Sequence, residues 1–279
     1  MPNPVCPVPR RVGIVHKVTS PEAAAAAAAA AQYLRGRGVE ALLDEAQAPE
    51  ADLLLVLGGD GTLIHASRLL DGKSVPILGV NMGSLGFMTE VPYGQLYQAL
   101  DVVMAGKALI SERMKLGVHV HRGSSQAKVV DTEVLNEVVI AKGALAPMCE
   151  LEVTAGGQFV TSYKADGVIV ATPTGSTAYS MAANGPILHP AMLGVILLTP
   201  ICPHTLTQRP IVLPDDMKLD ITLQTRGEVV VSLDGQGFIK LERADRVQIK
   251  QTANRVMLVR NPNLDYFGIL RAKLKWGER

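Results

Sequence analysis

The sequence predicts an α/β N-terminal domain with a parallel, Rossmann-like sheet, followed by an all-β, sandwich-like C-terminal domain. Three observations carry this. Short apolar runs alternate with helical stretches over about the first 80 residues, the pattern of a parallel sheet covered by helices. One run, Leu53 to Leu57, is apolar throughout and breaks directly into Gly58-Gly59-Asp60-Gly61-Thr62. From about Ser111 helical periodicity fades, and short β-branched segments separated by Gly, Ser and Asn take over. The boundaries read as 1–110 for the α/β domain, 111–260 for the β domain and 261–279 for a terminal segment.

The elements follow in order. Val12 to His16 reads as a first strand. Ser20-Pro21-Glu22 then opens a helix, with Ser20 as cap and Pro21 at the first helical position. Nine alanines, Ala23 to Ala31, give strong helix propensity without a face of large side chains. Such a helix packs closely on a sheet or contributes little core. Gly36 and Gly38 stop it. Val39 to Leu43 is a second strand, Leu53 to Leu57 a third. The helix after the glycine-rich turn ends at Asp71-Gly72-Lys73, and Val75 to Val80 is a fourth strand. Asn81-Met82-Gly83-Ser84-Leu85-Gly86-Phe87 follows at once. In open α/β sheets ligands lie beyond the carboxyl ends of the strands, so this second turn should share a rim with the first. Pro92 to Met104 reads as a further helix, closed by Gly106.

In the β domain, strands are expected at Leu116–Val120, Lys128–Val130, Leu135–Ile140, Leu151–Val153, Gln158–Thr161, Leu219–Leu223, Val229–Leu233 and Ile239–Leu241. Val247–Lys250 and Val256–Val259 read as two more. Two domains of this kind imply a cleft. In the tail, Leu264, Phe267, Leu270 and Leu274 fall at helical spacing.

Composition removes several classes. Among 279 residues, 48% are hydrophobic, enough for a sizeable core, and the net charge is only +1. No basic excess points to nucleic acid, and at 4% aromatic residues stacking platforms are scarce. No apolar run approaches the roughly 20 residues of a membrane helix, and the N-terminus shows no signal-peptide core. Cys6, Cys149 and Cys202 are far apart without a CxxC, so neither a disulfide framework nor a zinc site is expected. A cytoplasmic protein fits.

Five clusters could carry chemistry. The Gly58–Thr62 turn opens a helix whose N–H groups and dipole welcome an anion, yet Asp60 places a negative charge there. An acid beside a phosphate cradle suits a group that handles a hydroxyl proton or a metal, hence phosphoryl transfer. Asn136 could pair with an adenine edge and Glu137 accept from ribose hydroxyls. Strand neighbours point to opposite faces, so only one of the two faces a given pocket unless the strand bends. Lys164-Ala165-Asp166-Gly167 leads through an apolar strand to Thr172-Pro173-Thr174-Gly175-Ser176-Thr177-Ala178-Tyr179-Ser180, a turn dense in hydroxyls and backbone donors. A proline-crowded loop presents His204, and Asp234-Gly235-Gln236 reads as an ordinary hairpin turn.

Together these motifs, in this order from about Asp52 to Gln236, resemble the NAD kinase family. The GGDGT turn is shared with diacylglycerol and sphingosine kinases; the Asp166 to Ser180 stretch is the specific part. The resemblance implies ATP-dependent phosphorylation of the 2′-hydroxyl of the adenine ribose of NAD, with Mg²⁺ or another divalent metal. It implies a homo-oligomer, dimer or tetramer, and a C-terminal segment that returns to the first domain. By position, Asp60 matches the catalytic acid, and Gly59 and Gly61 the glycines that admit phosphate. His65 stands at a basic contact and Phe87 at an aromatic that packs on the dinucleotide. Asn136 and Glu137 match the pair that reads adenine and ribose. Lys164 takes a basic position and Asp166 an acid at the nicotinamide end. Thr174, Thr177, Ala178, Tyr179 and Ser180 match the loop that wraps the substrate, and Gln236 a late contact.

The chain departs from the family at Ala182, where a small or hydroxyl residue is usual, and at Ala183-Asn184-Gly185-Pro186, where relatives often show two glycines before the proline. No basic residue stands near Pro147. Two other readings remain: a lipid kinase of the diacylglycerol or sphingosine type, and a non-catalytic NAD(P)-binding regulatory protein.

Overall fold

The computed structural model describes residues 4–125, 127–261 and 264–277; residues 1–3, 262–263 and 278–279 of the sequence-defined domains lie outside the described residues, as does residue 126. The chain divides into two compact units, residues 1–112 with 254–279, and residues 113–253.

The first unit contains β1 (Arg11–His16), α1 (Pro21–Arg35), β2 (Glu40–Leu42), β3 (Leu53–Gly58), α2 (Asp60–Leu69), β4 (Pro76–Asn81), β5 (Val91–Pro92) and α3 (Leu96–Met104). The strands run parallel in the order β2-β1-β3-β4, with β5 on the free edge of β4. Ser20 caps α1 as the sequence predicts, its hydroxyl accepting from the Ala23 N–H. The alanine helix packs closely: Ala26, Ala27, Ala30 and Ala31 are buried against Val12, Ile14 and the Leu53-Leu55-Leu57 face of β3. With no Cγ atoms in the way, helix and sheet approach, and the core is built by the leucines rather than by the helix. β3 is buried on both faces, as a central parallel strand should be.

The helix expected from Pro92 starts later. Val91 and Pro92 form a short edge strand, Tyr93–Gln95 a 3₁₀ turn, and only Leu96–Met104 is α-helical. Pro92 keeps an extended ψ of 146°, which the α-helix cannot use.

The β strands continue as β6 (Ile110–Arg122), β7 (Ala127–Val134), β8 (Glu137–Lys142), β9 (Cys149–Ala155), β10 (Gln158–Ala165) and β11 (Gly167–Ala171). A single helical turn, α4 (Tyr179–Ala182), precedes β12 (Val195–Ile201), β13 (Ile211–Pro214), β14 (Leu219–Leu223), β15 (Val229–Leu233), β16 (Gly237–Leu241) and β17 (Arg246–Val259). One antiparallel sheet has the order β13-β12-β11-β8-β15-β16. The other runs β10-β9-β14-β17, with β6 beside β17 and β7 beside β6. Val138, Val168, Val170 and Val231 of the first sheet share one core with Leu151, Val153, Ile221 and Val247 of the second. That is the predicted sandwich.

Two sequence expectations change here. Val247–Lys250 and Val256–Val259 are parts of one 14-residue strand, β17. The polar residues between them read as a break, yet the chain stays extended through them. Its first part pairs with β14; its last part, Met257 and Leu258, runs parallel to Pro76 and Ile77 of β4 in the first unit. The terminal helix, α5 (Tyr266–Leu274), buries Tyr266, Ile269 and Leu270, whereas Phe267 is 59% exposed. The expected helix forms and buries Leu270, but Phe267 lies off the packed face, where Tyr266 and Ile269 take its place. Among the described residues, no helix is long and apolar enough to cross a membrane.

Candidate active site

In the first unit, β3 ends at Gly58 and α2 begins at Asp60, with Gly59 as the cap residue. The Met82 N–H donates to the Gly58 carbonyl at 3.2 Å, so both glycine-rich turns meet at the carboxyl ends of β3 and β4. Asp60 does not cap its own helix. Its side chain crosses to the second turn, where Oδ2 accepts from the Phe87 N–H at 2.8 Å. Oδ1 accepts from Met88 N–H at 3.1 Å, Thr89 N–H at 3.0 Å and Thr89 Oγ1 at 2.9 Å. The Thr89 hydroxyl itself accepts from Asn81 Nδ2 at 3.0 Å, and Asn81 Oδ1 accepts from the Gly83 N–H at 2.7 Å. Asn81 and Thr89 are buried.

Only glycine fits at position 86. A Cβ there would lie 2.1 Å from Thr89 Oγ1 and 2.2 Å from Asp60 Oδ1. At Gly59 and Gly61, by contrast, a Cβ would meet no protein atom within 4 Å. The space those glycines leave is open to a ligand. His65 is exposed, with Nε2 2.9 Å from Glu45 Oε2. Phe87 is half-buried, and the Lys273 ammonium lies 5.4 Å from its ring centroid.

In the second unit the run Thr132 to Ile140 is not one strand. β7 stops at Val134, the chain bends at Leu135 and Asn136, and β8 starts at Glu137 in the other sheet. The bend removes the alternation rule, so Asn136 and Glu137 are both buried, at 9% and 7% exposure. Neither is an exposed strand residue.

The bend is held by Asp234, at the end of β15 with a left-handed φ of 52°. Its Oδ2 accepts from the Leu135 N–H at 2.9 Å, and its Oδ1 from Asn136 N–H at 2.8 Å and Glu137 N–H at 3.0 Å. From the other side, Thr172 N–H donates to the Asn136 carbonyl and Thr172 Oγ1 to the Leu135 carbonyl.

Three side-chain atoms in this cluster are buried without a hydrogen-bond partner: Asn136 Oδ1, Glu137 Oε2 and Thr174 Oγ1. Buried polar atoms are nearly always paired, so these three atoms could take their missing partners from a bound ligand. The Glu137 carboxyl is raised from its ordinary 4.5 to about 7, mainly by burial and also by the nearby Asp234 charge, against the lowering effect of the Tyr179 and Ser180 N–H groups.

The hydroxyl-rich turn is only partly free. Thr177 Oγ1 donates to the Thr174 carbonyl, and Ser176 Oγ to Pro173. Ser180 Oγ lies 2.9 Å from Thr199 Oγ1, both fully buried. Ala178 is half-buried; Tyr179 and Ala182 are exposed. Farther along, Lys164 is exposed, and its carbonyl accepts from the His204 N–H at 2.9 Å. Asp166 Oδ1 lies 3.8 Å from Lys142 Nζ. Gln236 is exposed, its N–H closing the turn on the Leu233 carbonyl.

Sequence reasoning missed Asp234, Asn81 and Thr89. Asp234 carried one signal, an acid before glycine in a hairpin, which also describes any turn. Asn81 carried only its place at the head of the second glycine-rich turn, and Thr89 carried none. Among the described residues, no three His, Cys, Asp or Glu side chains gather as a metal cage. Mg²⁺ needs no such cage, since it is commonly held by substrate phosphates and water.

An acid between open glycines at a helix start in the first unit suits a nucleotide-using phosphotransferase. The ATP-NAD kinase N-terminal domain profile matches residues 16–108, and the ATP-NAD kinase C-terminal domain profile residues 135–261. The chain belongs to the NAD kinase family. It is 45% identical to the NAD kinase of Geotalea daltonii over 97% of this chain and 100% of the relative. To the NAD kinase of Geobacter metallireducens it is 48% identical, over 89% of this chain and 87% of the relative. Its fold is similar to that of yeast NADH kinase complexed with NADH, with a TM-score of 0.88, 24% identity, and coverage of 97% of this chain and 88% of that one. It is also similar to an NAD kinase from Archaeoglobus fulgidus in complex with ATP, at a TM-score of 0.78 and 24% identity, covering 94% and 99%.

Proposed function

We propose that this protein transfers the γ-phosphoryl group of ATP to the 2′-hydroxyl of the adenine ribose of NAD, giving NADP. The observation that carries the reading is the orphaned trio Asn136 Oδ1, Glu137 Oε2 and Thr174 Oγ1. An adenine amino group and ribose hydroxyls supply the donors that these acceptors lack. In this reading Phe87 packs on the base, and Thr177, Ala178, Tyr179, Ser180 and Ala182 shape the wall around the substrate. Lys164 and Asp166 serve the nicotinamide end, while His65 and Gln236 make outer contacts.

Asp60 accepts the proton of the 2′-hydroxyl. The ribose oxygen forms its bond to the γ-phosphorus as the bond to the ADP oxygen breaks, and ADP leaves with that electron pair. Phosphoryl transfer asks for positioning and charge neutralisation more than for covalent help. Gly59 and Gly61 leave room for the phosphates beside the N–H groups that open α2. Mg²⁺ bound with ATP would supply the remaining charge neutralisation beside the Gly59–Gly61 turn. The enzyme is read as a cytoplasmic homo-oligomer.

The test is direct. Incubation with ATP, Mg²⁺ and NAD is expected to yield NADP, with each component required. The Glu137→Gln variant should raise the KM for NAD about 10-fold or more, because the amide loses one acceptor. A preparation that binds NAD but forms no NADP would overturn the reading in favour of a regulatory binder.

A further inference from the structure

The hydrogen bonds around Asp60 divide its two oxygens unequally. Oδ1 takes three donors, from Met88 N, Thr89 N and Thr89 Oγ1. Oδ2 takes one, from Phe87 N. A carboxylate oxygen offers about two lone-pair sites, so Oδ1 is saturated and Oδ2 keeps acceptor capacity. The hydroxyl on Oδ1 is itself oriented. Asn81 Nδ2 donates to Thr89 Oγ1, which leaves the threonine proton free to point at Asp60. Asn81 is fixed in turn, because its Oδ1 holds the Gly83 N–H. Asn81 and Thr89 are buried, Thr89 at 0% exposure, while Asp60 itself is half-exposed.

We propose that Thr89, oriented by Asn81, is a positioning residue whose hydroxyl adds a third donor to Oδ1 of Asp60, fixes the carboxylate in one rotamer and so leaves proton acceptance to Oδ2. This rests on the reading that Asp60 takes the hydroxyl proton. The threonine does not touch the substrate. It fixes which oxygen the substrate meets and holds the carboxylate in one rotamer. Without the hydroxyl, Oδ1 keeps only its two backbone N–H donors, the carboxylate is held less firmly in its rotamer, and the two oxygens become more alike as proton acceptors. Glycine at 86 belongs to the same device, since any side chain there would occupy the contact between Thr89 Oγ1 and Asp60 Oδ1.

Steady-state kinetics on four variants test this. Thr89→Val keeps the shape and removes the donor. It should lower kcat by about 10- to 100-fold, the effect of a hydrogen bond to a charged group, with KM for NAD and ATP within about 2-fold. Thr89→Ser restores the hydroxyl and should recover most of kcat. Asn81→Asp presents an acceptor to the threonine, turns its proton away from Asp60, and should reproduce the kcat loss; it also carries the test if Thr89→Val does not fold. In an Asp60→Asn background, Thr89→Val should cause no further loss.

An inactive Asp60→Asn beside a Thr89→Val of normal kcat overturns the positioning role and leaves the base assignment standing. Equal losses in Thr89→Val and Thr89→Ser also overturn it, because the hydroxyl is then not the cause. An active Asp60→Asn removes the base assignment and this inference together.

Discussion

Two aspartates in this protein use the same device for opposite ends. Asp60 follows β3 and accepts the N–H groups of three successive residues, Phe87, Met88 and Thr89. Asp234 follows β15 and accepts those of Leu135, Asn136 and Glu137. Each carboxylate pins a distant bend to the end of a strand. They differ in what remains. Asp234 is 9% exposed and is a fastening. Asp60 is half-exposed, stands between glycines that leave open space, and has acceptor capacity left on one oxygen. In the proposed reaction, the catalytic acid is a fastening with one oxygen held back.

The largest expected effect separates the two on turnover. Asp60→Asn should lower kcat by about 10²–10⁴, the range for loss of a general base. An amide oxygen can keep the contacts made on Oδ1, so stability should fall by only about 1–2 kcal/mol. Near-normal NADP formation would show that the two aspartates do not differ as described.

The mirror experiment is Asp234→Ala, read by denaturant unfolding. It strips the acceptor from three buried N–H groups, each worth about 1–3 kcal/mol when left unpaired, so a loss of about 3 kcal/mol or more is expected. KM for NAD should rise more than kcat falls, because Asn136 and Glu137 lose their bend. Unchanged stability would mean that Asp234 is not a fastening.

Glu137 reports the burial that Asp234 helps to impose. Its carboxyl is raised from 4.5 to about 7. Below about pH 4.5 the folded and unfolded chains both hold this proton. Between 4.5 and 7 only the folded chain keeps it, and above 7 both are ionised with the folded one at a disadvantage. This group therefore makes stability fall as pH rises through that window, by about 3 kcal/mol in total. Glu137→Gln should remove that slope from the pH dependence of unfolding; an unaltered slope would locate its source elsewhere.

Gly86→Ala gives the smallest effect. A methyl group driven into the Thr89–Asp60 contact should cost about 1–3 kcal/mol of stability and lower kcat. An active, stable variant would mean that the turn around Asp60 is looser than that around Asp234.

Much of this was legible in sequence because it is local. An apolar pentapeptide ending in glycines can hardly be anything but a buried strand and a turn, and Leu53–Gly58 is that. Ser20-Pro21 announced the start of α1, and the change of period near Ser111 announced the sandwich. The Asn136-Glu137 pair was visible as residues but not as geometry, since the bend before it comes from a carboxylate about a hundred positions later. Asn81 and Thr89 are ordinary residues made special by the partners that the fold brings to them. On α5 helical spacing offers several apolar stripes, and packing chooses one that keeps Leu270 but leaves Phe267 out.

β17 has a consequence for how the protein comes into being. Residues 113–253 are contiguous, so the second unit has all its strands as soon as they leave the ribosome. The first unit is made first but finished last. The edge of β4 at Pro76 and Ile77 has no strand partner until Met257 and Leu258 arrive. During synthesis an apolar parallel sheet waits with an open edge, the kind of surface that recruits other chains. The order of translation and the order of completion are reversed in this protein, and a chain shortened before Met257 would keep that edge exposed.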